Sequence, residues 1–364
     1  MTFADAQTAG GLKQAIRAEA SRLGFTLAGF TTPDPPPHLG AFEDWLAHGR
    51  HANMAYMASD SSRARRAVPR RIQPDCKSIL VLAAPYSDPA ALASRSEAGS
   101  RAPTGRIAAY AWGQDYHVVF PARLQEIVRY IERQVAHPVA SRSYTDTGPI
   151  LERDLAQRAG LGWIGKNSCL INPKHGSYFL LAEILLDLEL EPDPSFATDH
   201  CGSCTRCIEA CPTACILRNR TLDSGRCISY LTIELRDEIP IDLRASLGDW
   251  VFGCDVCQMV CPWNRFAQSE GDAAFQPRPG LPEPILIHEI ELNPQEFSRK
   301  FQHSPVKRAT RRGYRRNIAV VLGNSAGEEA LRALQAATQD SDALVREHAS
   351  WAIQQISHPK RTHV

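Results

Sequence analysis

Two cysteine runs, each closing on Cys-Pro, constrain this chain more than any other feature. The first reads Cys201-Gly-Ser-Cys204-Thr-Arg-Cys207-Ile-Glu-Ala-Cys211-Pro212; the second is Cys227 followed by Cys254-Asp-Val-Cys257-Gln-Met-Val-Cys261-Pro262. The spacing C-x2-C-x2-C-x3-C-P is that of bacterial ferredoxins, in which three thiolates hold one 4Fe-4S cluster and the fourth reaches across to a second. The second run supplies the reciprocal set, with its first cysteine moved upstream. Crossing the assignments puts Cys201, Cys204, Cys207 and Cys261 on one cluster, and Cys211, Cys227, Cys254 and Cys257 on the other. A proline after each crossing ligand stops the backbone from continuing as helix. Zinc is the plain alternative, yet structural zinc rarely needs a third cysteine at this spacing or a Cys-Pro end. Disulfides fit poorly, because the N-terminus reads as no signal peptide and eleven cysteines is an odd count. Cys76, Cys169 and Cys215 fall outside the pattern and are expected as small buried hydrophobes.

The 364 residues, 43% of them hydrophobic, are enough for about two or three domains. The longest apolar stretch, near 79–85, is far too short to span a bilayer. A net charge of +1 gives no global field toward nucleic acid. Reduced cysteines, iron-sulfur ligation and no export signal lead to the expectation of a cytoplasmic protein with no membrane partner.

Helical periodicity runs through Leu12, Ile16, Ala20 and Leu23, and an apolar strand is expected over 78–84. A helix over 118–134 and strand-like runs at 168–171 and 178–186 follow. This alternation predicts an α/β domain over 1–187. The Pro-containing segment 191–195 lies near the boundary with an α+β ferredoxin-type domain over 188–290, which ends in a Pro-rich connector. Residues 291–364 are expected to be all helical.

Gly160-Leu-Gly162-Trp-Ile-Gly165-Lys166 matches G-x-G-x-x-G, but a dinucleotide loop follows a strand and opens a helix. Here a helical stretch precedes the loop and a strand follows, so a nicotinamide or ATP site is rejected. A helix C-cap with Gly160 left-handed is the simple alternative to a backbone surface approached by a planar cofactor. Upstream, Asp146-Thr-Gly148-Pro149 has the chemistry of a turn. A carboxyl able to deliver a proton is the other possibility.

No acidic residue lies between Glu296 and Glu328, while Arg299, Lys300, Lys307, Arg308, Arg311, Arg312, Arg315 and Arg316 supply eight cations. The last six fall in pairs four apart, which on one helix makes a stripe. Such a stripe is either a solvated face or a nucleic-acid contact. Arg316 and Asn317, beside the apolar run, are candidates to pack or cap instead. The stretch from Asp342 to Ile356 reads like a HEAT-type repeat helix, with Asp342 near its N-terminus.

Taken together, Tyr144-Thr-Asp-Thr-Gly-Pro149, Ala159-Gly-Leu-Gly-Trp-Ile-Gly-Lys-Asn167, Gly176-Ser-Tyr178, the two cysteine runs and the short HEAT-like tail resemble the epoxyqueuosine reductase family over nearly the whole chain. The resemblance implies a cobalamin- and iron-sulfur-dependent enzyme that reduces epoxyqueuosine to queuosine at the wobble position of transfer RNA. The α/β part would hold cobalamin, in the manner of reductive dehalogenases. Asp146 falls on the family's proton donor. The cobalamin contacts fall on Arg66, Ala108, Asp146, Leu170, Leu181, Ile184, Asp255 and Val256. Leu151, Glu152 and Arg153 match a segment that meets the substrate nucleotide, and Lys307, Arg308, Arg311, Arg312 and Arg315 would meet the anticodon stem-loop.

Electrons would pass from an external low-potential donor through the clusters to cobalamin, and the departing oxygen must gain a proton. Asp146 would need a pKa raised by desolvation to deliver it. A monomer is expected. The rival readings are a cobalamin-dependent reductive dehalogenase, which usually carries a twin-arginine signal, and an electron-transfer module without catalysis.

Overall fold

The structure, a computed structural model, describes residues 9–89, 102–267 and 271–358. The first seven residues, on which the export argument rests, lie outside them. The first half runs α1 (Ala9–Arg22), β1 (Leu27–Thr31), α2 (Leu39–Ala47), α3 (Asp60–Ala67), β2 (Ser78–Pro85), β3 (Arg106–Ile107), α4 (Tyr116–Val135), β4 (Ser141–Tyr144), α5 (Glu152–Arg158), β5 (Trp163–Ile164), β6 (Leu170–Ile171) and β7 (Phe179–Leu186). Then follow α6 (Ile228–Ile233), β8 (Trp250–Phe252), α7 (Pro294–Lys300), α8 (Thr310–Ser325), α9 (Glu328–Ala337) and α10 (Ala343–Ser357), with short helical turns between them.

Helix and strand alternate as the periodicity predicts, but the main sheet is not the parallel one that such alternation usually makes. Its order is β1-β2-β7-β4 and every pairing is antiparallel. β2 is buried at all eight positions, which is why it reads as an unbroken apolar run. Side-chain alternation divides the sheet into two faces. Leu80, Leu82, Ile184 and Leu186 join the core that includes α1 and α4. Ile79, Val81, Ala83 and Leu185 pack instead with Leu155 and Ala156 of α5.

Helix α4 buries Tyr116, Phe120, Leu124, Ile127 and Ile131, a stripe at helical period. The Asp115 carboxylate accepts the His117 N–H at its start, and Ala136 ends it in the left-handed region at φ 59°. That cap holds Tyr116 and His117 at the helix mouth, where they matter below.

The expected boundaries at 187/188 and 290/291 do not separate independent cores. β3 pairs in parallel with β8, and one cluster of buried side chains runs from Ile16 to Ala352. In the tail α8 packs against α9 and α10. Asp342 caps α10 by accepting the Leu344 N–H at 2.9 Å. No helix among the described residues is long and apolar enough to cross a membrane.

Candidate active site and cluster sites

The cysteines of the two runs lie near one another, and their mutual electrostatic effects show which are neighbours. Burial pushes the Cys261 thiol up to about 11, and the nearby Cys201 and Cys207 add to the shift. Cys207 is raised by burial and then by Cys201 and Cys204. Cys254 is raised by burial, with Cys227 and Cys211 adding to it. Cys257 is raised first by contact with Cys169 and then by burial, with Cys254 and Cys227 also nearby. Among the described residues no three His, Cys, Asp or Glu side chains converge on one ion-sized point. A cubane asks for something different, four thiolates spread around a cluster.

Two of the three cysteines outside the pattern lie against cysteines of the two runs. Cys215 Sγ lies 3.5 Å from Cys211 Sγ, and Cys169 touches Cys257. Cys76, in the sheet core, and Cys215 are buried as expected, while Cys169 is only partly so.

The glycine loop clamps the first cysteine run. Gly160 is left-handed at φ 79°, and a Cβ there would meet Pro194 O at 2.8 Å. Lys166 Nζ donates to the carbonyls of Gly202 at 2.6 Å and Cys204 at 2.9 Å. Trp163 Nε1 points at Cys201 Sγ at 3.5 Å. Asn264, just beyond the second run, grips the Gly176-Ser177 turn: its Oδ1 accepts the Ser177 N–H at 2.6 Å, and its Nδ2 donates to Gln258 O at 2.7 Å.

Asp146 follows β4 in the left-handed region, at φ 58°. Its Oδ2 accepts the Tyr116 hydroxyl at 2.8 Å and lies 3.7 Å from His117 Nε2. Its backbone N–H donates to Glu152. The turn chemistry is present too, since the Thr147 N–H returns to Thr145 O at 2.6 Å. Burial alone would raise the Asp146 carboxyl, but hydrogen bonds from His117 and Tyr116 outweigh it and hold the group below its ordinary range. The side chain is 64% exposed at the mouth of a cleft, so solvent screens the charge part of this effect. The expected raised pKa is therefore corrected: Asp146 is a carboxylate in the free protein. The proton sits on His117, where burial is overcome by hydrogen bonds to Asp115 and Asp146 and the imidazole rises to about 9.

Glu152 opens α5 beneath this loop. Burial, then the Asp146 charge, pushes its carboxyl up to about 7. Leu151 is half-buried, and Arg153 is exposed with Nη1 donating to Ser168 O at 2.9 Å. Burial raises the Tyr56 phenol, and the charges of Glu234, Arg308, Asp146 and Arg66 also act on it, so these groups lie in one neighbourhood. Arg66 is buried over the Phe42 ring, and its Nε has no hydrogen-bond partner.

A second wall comes from the cysteine segment. Asp255 Oδ2 accepts the Ala109 N–H at 2.7 Å, and burial pushes its carboxyl up to about 6. Ala108 is buried, and Val256 packs on the same cluster. A Cβ on the left-handed Gly253 would stand 2.5 Å from Ala108 Cβ, so glycine alone permits this approach. Leu170 and Leu181 belong to the α5 side of the sheet. Ile184 does not join them. It is fully buried in the α4 core, and strand alternation points it to the opposite face from Leu181.

The basic stripe is corrected as well. Lys307 and Arg308 sit on a 3-10 turn before Thr310, whose φ is 61°, so the six cations do not share one helix. Arg315 is buried, donating to Ile290 O and pairing with Asp340. Arg316 is fully buried and donates to the carbonyls of Leu231, Leu235 and Asp237, and Asn317 donates to Thr232 O and Val251 O. Arg311 Nε holds Leu292 O at 2.6 Å. Lys307, Arg308 and Arg312 are the exposed members. Arg308 is gripped by Glu234 at 2.8 and 2.9 Å, and Arg312 lies 3.2 Å from Asp342.

Tyr116, His117, Glu183 and Asn264 carry no spacing signal in the sequence; only the fold brings them to the site.

Comparison with known proteins agrees with this architecture. Residues 200–264 match the family described as 4Fe-4S double cluster binding domain, and residues 66–147 match epoxyqueuosine reductase QueG, DUF1730. The chain is 39% identical to the epoxyqueuosine reductase of Pseudomonas aeruginosa over 94% of each chain. It is 41% identical to that of Xanthomonas campestris, over 93% of this chain and 95% of that one. The crystal structure of an epoxyqueuosine reductase with an epoxyqueuosine-modified tRNA-Tyr stem loop superposes with a TM-score of 0.87 at 29% identity, covering 97% of this chain and 92% of that one. A Bacillus subtilis structure, whose catalytic aspartate loop is swung out of the active site, matches with the same score, identity and coverage. The chain belongs to the epoxyqueuosine reductase family.

Proposed function

We propose that this protein reduces epoxyqueuosine to queuosine in transfer RNA, using two 4Fe-4S clusters and cobalamin. Removing the epoxide oxygen as water takes two electrons and two protons and leaves a carbon-carbon double bond. The observation that carries this reading is the position of Tyr110. It is half-buried, packs on both the α4 core and the cysteine-side core, and, besides burial, both Asp146 and Asp255 raise its phenol. The proton-handling cleft and the cysteine segment thus meet at one place.

Cys201, Cys204, Cys207 and Cys261 hold one cluster, and Cys211, Cys227, Cys254 and Cys257 the other. The buried, unpartnered Arg66 Nε and the Ala108–Gly253 approach fit a large cofactor between the cleft and the cysteine segment. Arg66, Ala108, Asp146, Leu170, Leu181, Asp255 and Val256 would hold cobalamin, which supplies a strongly reducing cobalt. Asp146 delivers a proton to the departing oxygen, and His117 recharges it through the 3.7 Å contact.

Leu151, Glu152 and Arg153 face the substrate nucleotide. Lys307, Arg308 and Arg312 are the exposed cations of the set and would meet the stem-loop backbone, Arg308 and Arg312 by giving up their pairs with Glu234 and Asp342, on a tail read as HEAT-like. The division 1–187, 188–290 and 291–364 is one of roles, namely cofactor and chemistry, electron entry, and RNA docking.

The test is corrinoid retention after anaerobic reconstitution with iron, sulfide and cobalamin. About one corrinoid per chain is expected. Protein that carries both clusters yet retains no corrinoid would be an electron-transfer module instead.

A further inference from the structure

Helix α8 turns one face toward the two chain segments that deliver Cys227 and Cys254. Cys227 stands directly before α6, as its N-cap, and Cys254 follows β8 after the single residue Gly253. Both cysteines pack against one core, to which α6 gives Ile228 and Leu231, β8 gives Trp250 and α8 gives Val320. One turn before Val320 lie Arg316 and Asn317, both fully buried. The Asn317 Nδ2 donates to Thr232 O in α6 at 2.8 Å and to Val251 O in β8 at 2.9 Å. One amide therefore ties the two segments together. From the α6 side, the Thr232 hydroxyl accepts the Gly253 N–H at 2.9 Å, next to Cys254. Two turns beyond Asn317, Asn324 Nδ2 donates to Arg244 O at 3.0 Å and Gly248 O at 3.1 Å, holding the loop that leads into β8.

Arg316 orients the amide. Its Nε and Nη2 donate to Asn317 Oδ1 at 3.1 and 2.7 Å. A guanidinium only donates, so the amide oxygen must face it and the amide nitrogen must face the two carbonyls. The remaining Arg316 bonds reach Leu231 O at 2.6 Å, Leu235 O at 2.9 Å and Asp237 O at 2.7 Å. Burying a guanidinium is costly unless its N–H groups find acceptors, and here all three nitrogens do. The last carbonyls of a helix have no partner within it. Those at the end of α6 and just beyond it accept from α8.

We propose that Asn317, oriented by Arg316, sets the separation of Cys227 and Cys254, so that the helical tail completes the site of the cluster these two thiolates share. The inference rests on the reading that both cysteines serve one cluster. A cubane takes four thiolates in a fixed arrangement. Local spacing fixes Cys254 against Cys257, but nothing local fixes the distant Cys227 against either. The Asn317 bridge supplies that constraint. Asn317 is a positioning residue, because it grips backbone on both sides and touches no ligand atom. The other set has three members in the compact run 201–207 and is braced from elsewhere, by Trp163 and Lys166. Loss of the bridge is therefore felt by one cluster and not by the other.

The experiment is iron analysis and electron paramagnetic resonance of the reconstituted full chain carrying Asn317→Asp. This variant keeps the side-chain volume and an oxygen for Arg316 but loses both bonds donated by Nδ2. Iron should fall from about eight toward four per chain, and the lost or shifted signal should be the one that Cys227→Ala disturbs. The signal that Cys204→Ala disturbs should persist. Thr232→Val, which removes the acceptor of the Gly253 N–H, should shift the same signal more weakly, and it decides the question if Asn317→Asp does not fold. Arg315→Ala serves as the stability control: it is buried on the same helix and bonds to neither segment, so both signals should survive its loss. Two unchanged signals in the folded bridge variant would overturn the proposal, as would equal loss of both. The same selective loss in Arg315→Ala would also overturn it, by reducing the effect to stability. Failure of the underlying cluster reading looks different, since Cys227→Ala and Cys254→Ala would then disturb different signals.

Discussion

His117 Nε2 stands 3.7 Å from Asp146 Oδ2, and Asp115, 2.8 Å from the other ring nitrogen, joins Asp146 in raising the imidazole to about 9 against the cost of burial. Asp146 is thus a carboxylate beside a raised imidazole, and the proposed donor role has it filled from His117. Asp146→Asn should leave both clusters and corrinoid bound while turnover falls on the order of 10²–10⁴-fold, the usual worth of a positioned general acid. If the loss appears as a lowered Tm with turnover per folded molecule intact, Asp146 is a turn residue only.

The pairing of His117 with Asp115 and Asp146 sets a pH dependence of stability. The folded His117 pKa is about 9, against an ordinary 6.5. The folded state therefore binds the extra proton between those values, and stability falls as pH rises through that window. The contribution is fully present below about 6.5 and gone above about 9. Thermal melts should show a steeper decline from pH 6.5 to 9 in the wild type than in His117→Gln. Parallel pH curves for the two would remove the charge from His117.

Cluster occupancy can be dissected by ligand. Anaerobically reconstituted protein should carry about eight irons, four per cluster. Cys204→Ala should perturb the electron paramagnetic resonance signal of the cluster that also uses Cys261, and Cys227→Ala the other. A variant at either position that disturbs both signals equally would contradict the crossed assignment. Zinc in place of iron would contradict the clusters themselves.

The tail separates docking residues from structural ones. Lys307→Ala with Arg312→Ala should weaken stem-loop binding and flatten the salt dependence by about one unit or more, since each phosphate contact contributes roughly −0.7 to −0.9 to the slope. Arg315→Ala should instead cost about 3 kcal/mol of stability, because it strands Asp340 in a buried site. Filter binding at several salt concentrations and chemical denaturation distinguish the two classes.

Sequence pattern reaches the clusters and the order of elements because both are local. C-x2-C-x2-C-x3-C-P is a covalent ruler, and the period of α4 appears in Phe120, Leu124, Ile127 and Ile131. Sheet direction is not local, and nothing in the apolar runs of β2 and β7 says they pair antiparallel. The expected pKa of Asp146 went the wrong way because burial was weighed without Tyr116 and His117, which sit thirty and twenty-nine positions upstream. The cationic stripe misled for a similar reason. Spacing at i and i+4 selects a helix face but does not say whether that face meets solvent, and Arg315 and Arg316 turn inward to hold backbone carbonyls.

The most direct measurement is mass spectrometry of an epoxyqueuosine-containing stem-loop after incubation with the fully loaded, reduced protein. The account predicts that the modified nucleoside loses the mass of one oxygen atom, and that Asp146→Asn slows this loss while leaving cofactor content unchanged. An unchanged nucleoside mass, with both clusters and cobalamin in place and reduced, would contradict it.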